Sequence, residues 1–172
     1  GLGGNIKAIT VDGSFDDCQS LVKNAFSDTA LRNKISLTSA NSINVARWLP
    51  QMIFYALACI EIRRQDIESV ICIPSGNYGN IAAAYLAHDM GFHFNIILAA
   101  HNANDTIPRD LVKREYHPGA TISTVANAMD VSDPSNFVRL QYLQQHQYRG
   151  RLADFQALSV SDEQILQAIR DV

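Results

Sequence analysis

Charge is scarce in this chain. Only 18% of its 172 residues are Asp, Glu, Lys or Arg, against roughly 25% in ordinary soluble domains, so more of its surface than usual is expected to be covered. The net charge is −3, the pI is about 5.9, and no block of five like charges occurs. That balance argues against nucleic acid or an anionic membrane as a partner. Cysteine is limited to Cys18, Cys59 and Cys72, odd in number and widely spaced, which excludes a disulfide framework and a zinc cluster. Such cysteines suit buried thiols in a reducing, cytoplasmic setting. The five histidines, His88, His93, His101, His117 and His146, lack metal-ligand spacing, so no metal is expected. No apolar run approaches the roughly 20 residues of a membrane span. The opening Gly1-Leu2-Gly3-Gly4-Asn5 has neither the basic end nor the apolar core of a signal peptide. No fixed-period repeat or low-complexity tract is present.

What is there reads as alternating strands and helices. Ile6 to Val11 is a short apolar segment ending at the turn signal Asp12-Gly13, and is expected to be a strand. Ser14 follows as a helix cap, with Asp17 completing a capping box. Phe15, Cys18, Leu21, Val22, Ala25 and Phe26 then recur at helical spacing. A second, long apolar helix is expected from about Ser42 to Arg64, kinked or interrupted by Pro50. Val70 to Ile73 is a continuous apolar tetrad of the kind found in parallel strands covered on both faces. Ile81 to Met90 reads as a helix closed by Gly91, and Asn95 to Ala100 as a further strand. Helices are expected around Pro108 to Glu115, over Phe137 to Gln147, and over Glu163 to Arg170. The result is an α/β fold: an open, mostly parallel sheet with flanking helices and ligands outside the carboxyl ends of its strands.

The loop after the apolar tetrad, Pro74-Ser75-Gly76-Asn77-Tyr78-Gly79-Asn80, therefore draws attention. A helix N-terminus presents unpaired N–H groups and partial positive charge, which attract an anion. Gly76 and Gly79 permit tight turns and close approach of the backbone. The loop lacks the Gly-Lys-Ser/Thr ending of a P-loop and the three-glycine dinucleotide fingerprint. By spacing alone, an ordinary capped turn explains it about as well as a phosphate cradle does.

This loop resembles the cofactor-phosphate loop of threonine synthase, a pyridoxal-phosphate enzyme of fold type II with a Rossmann-like three-layer architecture. Four more stretches resemble that family in the same order: 11–19, 39–47, 100–109 and 127–137. The resemblance implies that Ser75, Gly76, Asn77, Tyr78, Gly79 and Asn80 cradle the phosphate of pyridoxal 5'-phosphate. Tyr78 stands where the family often has phenylalanine, a change of little weight if backbone donors bind the ester. It also implies a parent lyase that turns O-phospho-L-homoserine and water into L-threonine and phosphate. Residues 1–172 would be one α/β segment of that enzyme, with 1–37 from its smaller domain and 38–172 the phosphate-binding part of the larger.

None of the four lysines, Lys7, Lys23, Lys34 and Lys113, sits in the family's Schiff-base setting. No catalytic residue is assigned, and the 172-residue segment is expected to be inactive alone. Its remaining partners would be the rest of the parent chain, with self-association through uncovered apolar faces on the sheet edge and the Ile43–Ile60 helix.

Asn41, Asn44 and Arg47 recur at three-residue steps, which would align them on one helix face. With Ser42 they are candidates for substrate binding, Arg47 offering a planar fork to phosphate or carboxylate; capping plus an exposed arginine explains them equally. Asn104, Asp105, Thr106 and Arg109, and likewise Asn127, Asp130, Ser132 and Asn136, read first as caps and turns. Two other functions stand beside the main one: another fold-type-II lyase or dehydratase acting on a hydroxy amino acid, and a non-catalytic module binding a phosphorylated metabolite. The stretch 127–137 argues against the former. The missing lysine setting keeps the latter open.

Overall fold

The computed structural model describes residues 3–146 and 154–172. The chain divides into two compact units, Gly1–Thr38 and Ser39–Val172.

In the first unit, α1 (Phe15–Ser27) starts at the expected capping box: the Ser14 side chain accepts from the Asp17 N–H, and the Asp17 carboxylate accepts from the Ser14 N–H. Asp28 then ends α1 and caps a short α2 (Thr29–Lys34). The strand expected at Ile6 to Val11 does not form. That stretch is irregular and exposed, Ile9 by 85%, because a strand needs a hydrogen-bonding neighbour and none lies beside it among the described residues.

The second unit carries a three-stranded parallel sheet. Its strands are β1 (Val70–Pro74), β2 (Ile96–His101) and β3 (Asp154–Ser159), in that spatial order. In register, Ile73 lies beside Ala99, and Ala99 beside Ala157. Strand β3 was not anticipated, although Asp154-Phe155-Gln156-Ala157 alternates polar and apolar as a half-buried strand does.

The long apolar helix is α3 (Trp48–Gln65), preceded by a 3-10 turn at Val45–Arg47. Pro50 does not kink it. The helix begins later than expected, so Pro50 falls in its first turn, where its missing N–H would have no partner anyway. Helix α4 (Gly79–Asp89) packs on α3, and its Ala82, Ala83, Ala84 and Ala87 are all fully buried. Gly91 closes it with a left-handed φ of +104°. Helices α5 (Thr106–Lys113), α6 (Phe137–Gln145) and α7 (Asp162–Arg170) follow. Of the expected α6, Gln147 lies outside the described residues. The core joins Tyr55 and Cys59 of α3, Ile81 and Tyr85 of α4, Ile73, Ile97 and Ala99 of the sheet, and Leu140 of α6.

Strand β1 is not covered on both faces. Ile73 is buried, whereas Val70, Cys72 and Pro74 on the opposite face are exposed, Val70 by 57%. Leu49, Ile53, Phe54 and Leu57 of α3 are exposed as well. The segment Val45–Gln65 is long and apolar enough, by length and composition, to cross a membrane, which counting uninterrupted apolar residues missed. Here its polar groups Gln51 and Tyr55 are spent on Asn80 of α4, a protein contact rather than a lipid one.

Candidate functional site

Strand β1 delivers the chain at its carboxyl end into the turn Ser75–Tyr78, and α4 leaves from there. Ser75 is buried and bound back to the sheet: its N–H donates to Ala100 C=O at 2.8 Å and its hydroxyl to Ile73 C=O at 2.7 Å. Asn77 is held on every side. Its amide donates to Ser42 Oγ at 2.9 Å, its Oδ1 accepts from the N–H and hydroxyl of Ser135, and its C=O accepts from Asn136 Nδ2 at 2.8 Å. The Asn80 side chain turns to α3, accepting from the Tyr55 hydroxyl and donating to Gln51 Oε1.

The polar side chains of the loop are thus consumed by the protein itself. What remains for a ligand is backbone. The first internal bond of α4 is donated by Ala82 to Tyr78 C=O, leaving the amides of Gly79, Asn80 and Ile81 as the unpaired donors of a helix start. A cavity of about 220 Å³ opens over them, walled by Ser75 to Ile81, Ser42, Gln51, Ala128 and Met129. No Lys, Arg, His, Asp or Glu is in that wall. An anion there would be met by oriented dipoles rather than a countercharge.

Both glycines are required by close approach. A Cβ on Gly79 would lie 2.7 Å from Ser42 Cβ, and one on Gly76 would lie 3.1 Å from Met129 Cα. Tyr78, by contrast, is a non-glycine residue at φ +63°, a conformation that costs about 1–2 kcal/mol for a residue with a Cβ. Its side chain is 2% exposed and passes into the core, where its hydroxyl lies 2.7 Å from His101 Nε2.

Burial holds the His101 pKa down at about 4, against the opposing influence of a backbone hydrogen bond with Asn104 and the charge of Asp105. An unfolded His101, with a pKa near 6.5, takes up its proton first as pH falls. The contribution to stability is therefore complete above about pH 6.5 and declines as pH falls towards 4. Between about pH 7 and pH 5 the loss amounts to about 2 kcal/mol. Urea unfolding at the two pH values should show it, and His101→Asn should lack that component; equal pH dependence in both proteins would contradict the assignment.

Of the four substrate candidates, only Ser42 reaches the cavity. Asn41 accepts from the Ser42 hydroxyl at 3.1 Å, Asn44 binds Ser39 C=O and the Ala46 N–H, and Arg47 reaches Ala40 C=O at 2.9 Å. They do not share a helix face, because residues 39–47 form a turn and a 3-10 segment instead.

Sequence reasoning missed what supports the loop from behind. Arg139 of α6 donates to Ile43 C=O at 2.7 Å and to Asn136 Oδ1 at 3.0 Å, and lies 5.0 Å over the Trp48 ring. Burial lowers the pKa of its guanidinium. An arginine within an otherwise mixed helix was the only available signal. The second support is a polar knot after β2. Asp130 accepts from Asn102 Nδ2, Thr124 Oγ1, the Thr124 N–H and Asn104 Nδ2, and this fixes the segment whose Met129 closes on Gly76. Asn104 is therefore a hub rather than a cap. Asp105 does not cap α5 with its side chain but pairs with Arg109 at 2.7 Å.

A parallel sheet whose first strand ends in a glycine turn, with a helix N-terminus behind it, defines an open α/β domain, a class whose ligand sites lie outside the carboxyl ends of the strands. No protein-family profile matches the chain, but individual proteins do. It is 41% identical over 172 residues to the threonine synthase of Serratia marcescens, spanning 99% of this chain and 40% of that protein. The crystal structure of threonine synthase from Escherichia coli superposes with a TM-score of 0.91 at 40% identity, over 99% of this chain and 40% of that one. The pyridoxal-phosphate-bound threonine synthase of Brucella melitensis gives a TM-score of 0.72 at 30% identity, over 93% and 40%. In sequence and in backbone alike, the chain matches a segment of threonine synthase, and it spans about two fifths of the relatives' length.

Proposed function

We propose that this chain supplies the cofactor-phosphate cradle and part of the substrate pocket of a threonine synthase. In this reading the whole protein converts O-phospho-L-homoserine and water into L-threonine and phosphate. The supporting observation is a cavity at a helix N-terminus whose polar loop side chains are already satisfied, so that the loop offers it backbone donors. The residues suit the phosphate ester of pyridoxal 5'-phosphate. The Gly76–Gly79 turn brings the amides of Gly79, Asn80 and Ile81 to the cavity, and its uncharged wall leaves the ester to be held by dipoles. When bound, pyridoxal phosphate supplies an electron sink for carbanions of the amino-acid substrate. Ser42, between Asn77 and Asn136, brings the 39–47 segment to the rim, and Met129 shields the turn from water on the side of Gly76. We assign residues 38–172 to the phosphate-binding part and 1–37 to the smaller domain of the parent. The exposed faces of β1 and α3 are where the rest of a threonine synthase chain, or a second copy of this one, would dock.

Binding distinguishes the readings. Pyridoxal 5'-phosphate should bind at least about tenfold more tightly than pyridoxal, a difference of about 1.4 kcal/mol assigned to the ester, measurable by absorbance or fluorescence titration. Equal affinities would remove the cradle. Because no lysine lines the cavity, the 172-residue chain supplied with cofactor and O-phospho-L-homoserine should release no phosphate. Turnover by this chain alone would refute that.

A further inference from the structure

We propose that Tyr78 and His101 form a positioning pair: the hydroxyl of one and the Nε2 of the other, 2.7 Å apart in the core, hold the Gly76–Gly79 turn in the shape that receives the phosphate ester. The inference rests on the cradle reading above and adds a role for side-chain atoms that face the core rather than the cavity.

The argument starts from the backbone. Tyr78 is the residue before α4 and is left-handed at φ +63°. Its φ and ψ set the direction of the Gly79 amide, and with it the aim of the whole helix N-terminus. A residue with a Cβ stays there only when its surroundings hold it. The surroundings are aromatic and closed. The Tyr78 ring meets Phe137 edge to face at 5.7 Å and Phe155 at 6.4 Å. Those contacts fix the plane of the ring but offer nothing to its hydroxyl. His101, at the carboxyl end of β2 and 4% exposed, provides the partner.

The imidazole stands at the end of β2 just before Asn102 and Asn104, and as a neutral ring its Nε2 can accept the hydrogen bond of the Tyr78 hydroxyl. Asn104 belongs to the knot around Asp130. Asp130 thus holds the chain directly after His101, through Asn102 and Asn104, and His101 meets Tyr78 of the turn. A phenylalanine at position 78 would fill the same space but leave Nε2 of His101 buried and without its donor. The turn would then rest on ring packing alone. In this chain the hydroxyl adds a directional restraint, and restraint of donors before the ligand arrives is what raises affinity.

The test uses the full-length protein and the variants Tyr78→Phe, His101→Leu and their double. Two readouts are taken: the affinity ratio of pyridoxal 5'-phosphate to pyridoxal, and amide hydrogen exchange of residues 76–81 without ligand. Each single variant should lower the ratio by about fivefold to tenfold and speed exchange in the turn, while the amides of Ile97 and Ala99 stay protected. The double variant should lose no more than either single one, because one bond is removed once. Additive losses, or a ratio and turn exchange unchanged in Tyr78→Phe, would overturn the pair. Exchange accelerated equally throughout the sheet would also overturn it, by reducing the hydroxyl to general stability. A wild-type protein with no preference for the ester overturns the cradle itself and the pair with it, whereas an intact wild-type preference that the variants share overturns the pair alone.

Discussion

Gly79→Ala is expected to lower stability by about 1–3 kcal/mol, the range for a methyl forced into a packed site, and to cut affinity for pyridoxal 5'-phosphate by at least about tenfold. The added Cβ would stand 2.7 Å from Ser42 Cβ and 3.4 Å from Ser42 Oγ. The first of these is no flexible tip that can swing aside. Ser42 is also pinned: it accepts from Asn77 Nδ2 at 2.9 Å and from Asn136 Nδ2 at 3.1 Å, and donates to Asn41. Either α4 retreats, carrying its amides with it, or the 39–44 turn lifts and Asn77 loses a partner. Both outcomes open the cradle. Thermal unfolding and cofactor titration measure the two effects. Adding Ser42→Gly removes the opposing Cβ and should recover part of the stability, though not the bonds of the hydroxyl. Wild-type behaviour of Gly79→Ala in both assays would mean that the close approach does not exist in solution.

Asp130→Ala should be the more damaging change, costing about 3 kcal/mol. The estimate follows from leaving several buried donors unpaired at about 1–3 kcal/mol each, without full additivity. Asn102, Asn104 and Thr124, all buried, point donors at this carboxylate from 2.7 to 3.3 Å. Asn104 also ties the network to Ile122 and Ser132, so the damage would spread along 122–132. Met129 would lose its fixed place against Gly76, and cofactor binding should weaken although Asp130 does not line the cavity. Asp130→Asn keeps one acceptor oxygen and should fall between the two. Urea unfolding decides the matter: a loss below about 1 kcal/mol would show that water replaces the carboxylate without penalty.

Much of the architecture was legible residue by residue. The strand at Val70 to Ile73, the Ser14–Asp17 start and Gly91 as a helix stop are local signals, and the structure has all of them. The position of the candidate loop was legible in outline, since a glycine loop between an apolar run and a helix is itself a local pattern. Its inner wiring was not. Ser75 and Asn77 look like ligand donors in the sequence, yet their side chains bond to Ile73, Ser42 and Ser135. Asn136 and Arg139, more than ninety positions from Ser42 in the chain, carry no mark that ties them to it. The strand expected at Ile6 to Val11 fails for the converse reason: apolar character permits a strand, but a neighbour must complete it.

Residue order alone set the alternation of strand and helix and the place of the glycine turn after β1. These depend on contacts between near neighbours along the chain, which composition and spacing record. Folding was needed to turn the loop's polar side chains onto the protein and to leave the first amides of α4 beside the cavity. It alone set Ser42 and Met129 against the two glycines and placed a histidine beneath Tyr78. Those relations join positions far apart in the chain, and a hydrogen bond's direction is decided by where both of its ends come to rest.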